Sequence, residues 1–127
     1  MKDLRKTSQK VLKEKTGNAI NKNTKIKVNL SGKSIDKLTS GKALHKSIAN
    51  GFTAKEHFKA VENIKSIYRK SVLKGTYPDR DNNPNIKDIK RFVTSYETCL
   101  GNKSTAYITV KCYKNGLNKL YSLELLK

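Results

Sequence analysis

The sequence predicts an α+β fold, with N-terminal helices packed on a four-stranded antiparallel sheet. Helical periodicity dominates the middle of the chain, and the last third holds three strand-like runs joined by hairpin turns. Nothing in the order of elements shows the regular strand–helix alternation that builds parallel sheets. With 127 residues, 35% of them hydrophobic, the chain can bury one modest core.

Residues 1–24 are mostly Lys, Asn, Thr, Ser and Gln, and no aromatic residue precedes Phe52. They read as a loosely held basic arm. A short helix around Lys2–Lys15 is allowed, because Leu4, Val11 and Leu12 fall near one face. The folded domain is expected over 25–127. It opens with Lys25–Leu30, whose period-two alternation predicts a strand with Ile26, Val28 and Leu30 on one face. Ser34 then serves as N-cap of a helix through Ile35, Leu38, Leu44 and Ile48. Gly41 weakens its middle and Asn50-Gly51 ends it.

Thr53 caps the strongest helix, Ala54 to about Leu73, with Glu56 as its capping-box partner. At about 100° per residue, Ala54, Phe58, Val61, Ile64, Tyr68 and Val72 form one stripe, with His57 inside it. Gly75 reads as the C′ glycine that closes this helix. Tyr77–Asn85 holds both prolines and reads as an exposed loop. Three strands follow, at Arg91–Glu97, Thr105–Tyr113 and Lys119–Leu126. The turns between them are Gly101-Asn102-Lys103 and Asn115-Gly116. In the middle strand Ala106, Ile108, Val110 and Cys112 suit the core. That leaves Tyr107, Thr109, Lys111 and Tyr113 on the opposite face, which is aromatic, hydroxylic and basic.

Charge narrows the partners. Lys and Arg number 28 against 10 acidic residues, for a formal net charge of +18. The excess is spread evenly: residues 1–52 carry 13 basic and 3 acidic side chains, residues 53–127 carry 15 and 7. Such a field attracts phosphate, and nucleic acid above all, without regard to sequence and with steep salt dependence. No apolar stretch approaches the ~18 residues of a spanning helix, nor a signal-peptide core. Cys99 and Cys112 lie in or near consecutive strands. A cross-strand disulfide is geometrically conceivable, although two free thiols are the default in a reducing compartment.

Metal and nucleotide motifs are lacking. Asp79, Asp81 and Asn83 have the spacing that begins a calcium loop, but Pro84 replaces its glycine and Lys90 stands where the bidentate glutamate belongs. No His/Cys cluster has zinc spacing, and there is no Walker loop, dinucleotide glycine motif or Ser elbow. Elimination favours metal-free chemistry, with no cofactor.

His57 has two readings. It is either a core imidazole with one nitrogen satisfied by a carbonyl, or a general base or acid, since histidine titrates near neutrality. In the first turn of its helix it could reach a sheet edge. His45, between Leu44 and Lys46, reads as a surface residue. Cleaving RNA without a metal needs a base for the 2′-OH proton, an acid for the departing 5′ oxygen and cations for the phosphorane. Arg91, Lys111, Thr109 and Tyr107 could supply the last two; otherwise the two cations are solvated strand residues.

The run Lys55-Glu56-His57-Phe58-Lys59-Ala60-Val61-Glu62-Asn63-Ile64 resembles the helix segment of the barnase/EndoU/colicin/RelE-like nucleases. In the family's order come Asp79-Arg80-Asn82-Asn83 in a polar loop, Ile89-Lys90-Arg91-Phe92, Tyr107-Ile108-Thr109-Val110-Lys111 and Tyr121-Ser122-Leu123. The likeness covers roughly 25–127. It implies a metal-independent ribonuclease site in the groove of the sheet. His57, Arg91, Thr109 and Tyr121 would be catalytic, and Tyr107, Lys111 and Lys90 would bind substrate. It further implies a toxin domain, monomeric when free, that cleaves tRNA or another structured RNA and leaves a 2′,3′-cyclic phosphate. Family members at the C-terminus of contact-dependent inhibition or phage polyvalent proteins act in the bacterial cytoplasm and are covered by an acidic immunity protein. The alternative is a non-catalytic RNA- or DNA-binding module that stacks bases on Tyr107 and Tyr113.

Overall fold

A computed structural model describes residues 2–127; Met1, the first residue of the expected arm, lies outside them. The order of elements is α1 (Lys2–Lys13), β1 (Gly17–Ile20), β2 (Lys27–Leu30), α2 (Gly32–Leu38), α3 (Gly41–Ala49), α4 (Ala54–Glu62), α5 (Ile64–Lys70), β3 (Val72–Tyr77), β4 (Ile86–Glu97), β5 (Lys103–Tyr113) and β6 (Asn118–Leu126). The architecture is α+β, but the sheet has six strands rather than four and is mixed, in the order β1-β2-β6-β5-β4-β3. β4, β5 and β6 form the antiparallel meander. β2 joins it parallel to β6, with Asn29 opposite Lys119, while β1 and β3 extend the two edges.

Residues 2–24 are built into the fold rather than forming a loose arm. In α1, Leu12 and Ser8 are fully buried, and Ser8 Oγ donates to Glu62 Oε2 of α4 at 2.7 Å. After β1, a fully buried Asn21 anchors the turn into β2. Its amide donates to the carbonyls of Tyr68 and Ser71, each at 2.8 Å, and its side-chain oxygen accepts from the backbone N–H of Thr24 at 2.9 Å. Polar composition concealed this segment because its anchors are polar groups satisfied by distant backbone.

The two helices read from periodicity each break in two. The first divides at Thr39-Ser40, ahead of the weak Gly41 position, and its N-cap is Ser31, whose side chain accepts from Ser34 N. The second starts as expected: Thr53 and Glu56 make the reciprocal capping box. It breaks at Asn63, whose side chain bonds back to the carbonyl of Lys59 at 3.0 Å, an alternative to the helical ladder. Val72–Tyr77 then pairs with β4 instead of continuing as helix, so Gly75 is a strand residue opposite Arg91 beside a bulge, not a helix cap. β-branched and aromatic residues in this segment fit a pleated edge, and the exposed edge of β4 supplied the partner.

The sheet separates two environments. Ala106, Ile108 and Val110 of β5, Phe92 of β4 and Leu123 of β6 are fully buried under the helices. β2 reaches only the start of β6, and α3 covers the remainder of that edge. There Leu125 N donates to Ser47 Oγ and Asn50 Nδ2 donates to Leu125 O, both at 3.0 Å. Two helix side chains thus satisfy strand groups that no neighbouring strand reaches. This contact brings α3 over the edge of the sheet, where it walls the other face.

Candidate nucleic-acid interface

Strand register assembles the site on the face opposite the core. Arg91, Thr109 and Ser122 sit directly opposite one another across β4, β5 and β6. One step along the strands Tyr107 faces Glu124, and one step the other way Ile89 faces Lys111. The register shifts at Thr109/Val110, where β6 carries one extra residue, Tyr121. This bulge turns Tyr121 onto the same face as Ser122, where strict alternation would place only one of them.

A cleft of about 510 Å³ covers these residues. Its floor includes Arg91, Thr109, Lys111 and Tyr121; α2 and α3 contribute Lys37, Lys42 and Lys46; the loop after β3 contributes Arg80. Against these six cations stand three carboxylates, Asp79, Asp81 and Glu124. Lys46 lies 3.7 Å from Glu124. Arg91 lies between two rings, 5.7 Å from the centroid of Tyr77 and 5.5 Å from that of Tyr107, and Lys111 Nζ is 3.9 Å from the Tyr121 centroid. Gly75 makes room for this arrangement, since a Cβ there would come within 2.8 Å of Tyr77 Cζ.

Four of the seven residues singled out from the sequence therefore line one cleft, and Tyr107 adjoins it through Arg91. Lys90 does not. Opposite Val110 it points to the other face, pairs with Asp88 at 3.0 Å and lines a second cleft with Cys112 and Lys114.

His57 is also elsewhere, and its assignment to the groove is corrected. It is fully buried on α4, and its ring meets Phe58 edge-on at 5.4 Å. Ser47 Oγ, which accepts from Leu125 N, lies 2.8 Å from His57 Nδ1. One hydrogen bond joins the two side chains, its direction set by the imidazole tautomer. Nε2 is buried without a partner. Burial pushes the imidazole pKa down to about 4. The ring steadies the α3–β6 contact behind the sheet and touches no surface a substrate could reach. Its position in the first turn of α4 does not bring it to an edge, because α3 stands between. His45 is exposed on α3 and does not line the cleft.

Glu56 is a second buried titratable group. Burial raises its pKa, but bonds from Thr98 Oγ1 (2.5 Å), Asn102 Nδ2 (2.8 Å) and the Thr53 backbone (2.9 Å) outweigh this and hold it at about 2. It ties the start of α4 to the β4–β5 turn. Cys99 is an exposed free thiol and Cys112 a buried one, with burial pushing the latter up to about 11. Among the described residues no group of three His, Cys, Asp or Glu could hold a metal ion, and no helix is long and apolar enough to cross a membrane.

Several groove residues were not singled out from the sequence: Tyr77, Arg80, Glu124 and the lysines of α2 and α3. Glu124 was within reach, since it shares parity with Ser122; the bulge that adds Tyr121 and the packing that brings α3 over the sheet have no local signal.

Fold and groove together define an α+β domain with a cationic, tyrosine-lined cleft suited to a polyanion. The chain belongs to the family described as large polyvalent protein-associated domain 3, whose model matches residues 1–121. That match runs through the N-terminal segment, as the packing of α1 and β1 does. No curated protein and no solved structure shows detectable similarity to it.

Proposed function

We propose that this domain is an RNA endonuclease module of a polyvalent protein, working in the cleft without a metal ion. The observation that carries the reading is the convergence of Arg91, Lys111, Thr109 and Tyr121 on one cationic cleft that also holds a carboxylate, Glu124. Arg91 and Lys111 hold the phosphodiester and the charge that develops on the phosphorane. With His57 sequestered, the base is Glu124, which takes the 2′-OH proton as the 2′ oxygen bonds to phosphorus. The bond from phosphorus to the 5′ oxygen then breaks, and the Tyr121 phenol supplies that oxygen's proton. Thr109 positions the phosphate from the floor. The products are a 2′,3′-cyclic phosphate and a free 5′-hydroxyl. The substrate class is tRNA or another structured RNA. On this reading the domain acts in the bacterial cytoplasm after delivery, and an acidic immunity protein fits its net positive cleft.

The test uses purified protein and total tRNA in EDTA, with sequencing of the 3′ ends. Wild type should produce defined ends bearing a cyclic phosphate, and Glu124→Gln should slow cleavage by roughly 10²-fold or more. A wild-type protein that binds tRNA and leaves it intact would sink the enzymatic reading. The burial of His57 favours, in that event, the second reading: a binding module whose tyrosines stack bases and whose cations hold phosphates.

A further inference from the structure

Cation–tyrosine pairs are concentrated on the groove face beyond what the cleft requires. Five occur within about 6 Å of a ring centroid, with Arg91 and Tyr107 each taking part in two. They use four of the six tyrosines, Tyr77, Tyr107, Tyr113 and Tyr121. Two of these pairings lie outside the cleft. On one side Lys74, the extra residue of the β3 bulge, sits 5.4 Å from the Tyr107 centroid. On the other Lys119 Nζ sits 5.1 Å from the Tyr113 centroid.

Residues 107, 109, 111 and 113 share one face of β5 by strand alternation, so the two outer pairs flank the cleft along a single strand; Tyr113, at the strand's end, also borders the second cleft. Tyr107 to Tyr113 spans about 20 Å at the antiparallel rise. That length admits about six nucleotides at the ~3.4 Å stacked rise, and fewer in an extended strand. Each pair offers a ring face for a base and a cation for the adjoining phosphate. Stacking is available only to a base not already paired and stacked within a duplex.

The geometry points to Tyr113 and Lys119 as an outer subsite of the groove, one end of a track that holds an unpaired RNA strand several nucleotides long. This rests on the RNA reading above and adds to it a strandedness, a length and two residues. The cleavage cleft takes the scissile phosphate; the outer pair takes a nucleotide further along and sets affinity without touching the reaction.

Fluorescently labelled 2′-O-methyl RNAs, which lack the attacking hydroxyl, serve as probes: a uridine trinucleotide, a uridine nonanucleotide and a G·C-paired duplex stem carrying as many phosphates as the nonanucleotide. The nonanucleotide should bind tighter than the trinucleotide and the stem. Tyr113→Leu should weaken it about five-fold or more while changing the trinucleotide less than about two-fold. Tyr113→Phe should restore it, and Lys119→Ala should mimic the loss. Unchanged thermal unfolding of Tyr113→Leu shows that the loss is not misfolding. Equal affinity for stem and strand, or no effect of either substitution on the nonanucleotide, overturns the subsite. In that event loss of binding in Arg91→Ala leaves the RNA reading of the cleft standing. If no probe binds, both fall.

Discussion

Alternate residues of the same three strands build two opposite environments, and each holds one half of what RNA cleavage was expected to need. Phe92, Ile108 and Leu123 face the helices and are fully buried. Behind them His57, the imidazole expected to do acid–base work, sits without access to solvent. Arg91, Thr109 and Ser122, each one residue away, face the cleft. A residue type suited to catalysis is not a site until its face is known. The dry face keeps histidine neutral and structural; the wet face gathers cations, tyrosines and a carboxylate.

The largest effect separates the faces by stability. Phe92→Ala should cost about 3–5 kcal/mol in urea unfolding, because it opens a cavity beside Tyr68, whose ring centroid is 4.9 Å away. Arg91→Ala, its neighbour in sequence, should leave the unfolding midpoint nearly unchanged. A comparable loss in both would show that the groove face carries as much of the stability as the core face.

Next comes pH. The folded chain holds His57 down at about 4, whereas the unfolded chain takes up its proton near 6.5. Between those values the unfolded state binds more protons, so stability falls on acidification. The slope is about 1.4 kcal/mol per pH unit, and the loss, about 3 kcal/mol in all, is complete below pH 4. Glu56 acts in a lower window. Its contribution is whole above 4.5 and is lost as pH falls toward about 2. His57→Gln should abolish the upper window and leave the lower one, as read by unfolding between pH 7 and 3. An unaltered upper slope would mean the imidazole is not the buried neutral group described here.

Smaller effects sharpen the wet side. Arg91→Ala should weaken tRNA binding about ten-fold or more, since charge-assisted bonds to phosphate carry roughly 1.5–3 kcal/mol each. Lys111→Ala should flatten the dependence of log affinity on log salt by about 0.7 for the one lost phosphate contact, while Lys90→Ala leaves it unchanged. Equal slopes for the two variants would show that the groove face has no privileged role in binding.

Much of this was legible in the chain. The alternation in Thr105–Tyr113 separates core from groove in β5 correctly, and the family resemblance groups Arg91 with Thr109, which the strand register sets opposite each other. The Thr53/Glu56 capping box marks the start of α4. Other features could not be read locally. Asn63 breaks the helix that periodicity runs from Ala54 to about Leu73, because its side chain competes for the Lys59 carbonyl. A waiting strand edge takes Val72 and Leu73 from the end. Asn21 looks like linker until the carbonyls of Tyr68 and Ser71, about fifty positions on, are beside it.

What the sequence determined by itself is a positive field, an α+β order of elements and a strand face of Tyr, Thr and Lys. These follow from composition and from periods of two and 3.6 residues, which are local. Tertiary structure alone decided which face of the molecule each half of the chemistry occupies. Ser47 and Asn50 fasten α3 to the backbone of Leu125, which buries His57 and swings Lys42 and Lys46 over the groove. That outcome depends on an unpaired strand edge meeting two helix side chains more than seventy positions away, a match that no window along the chain contains.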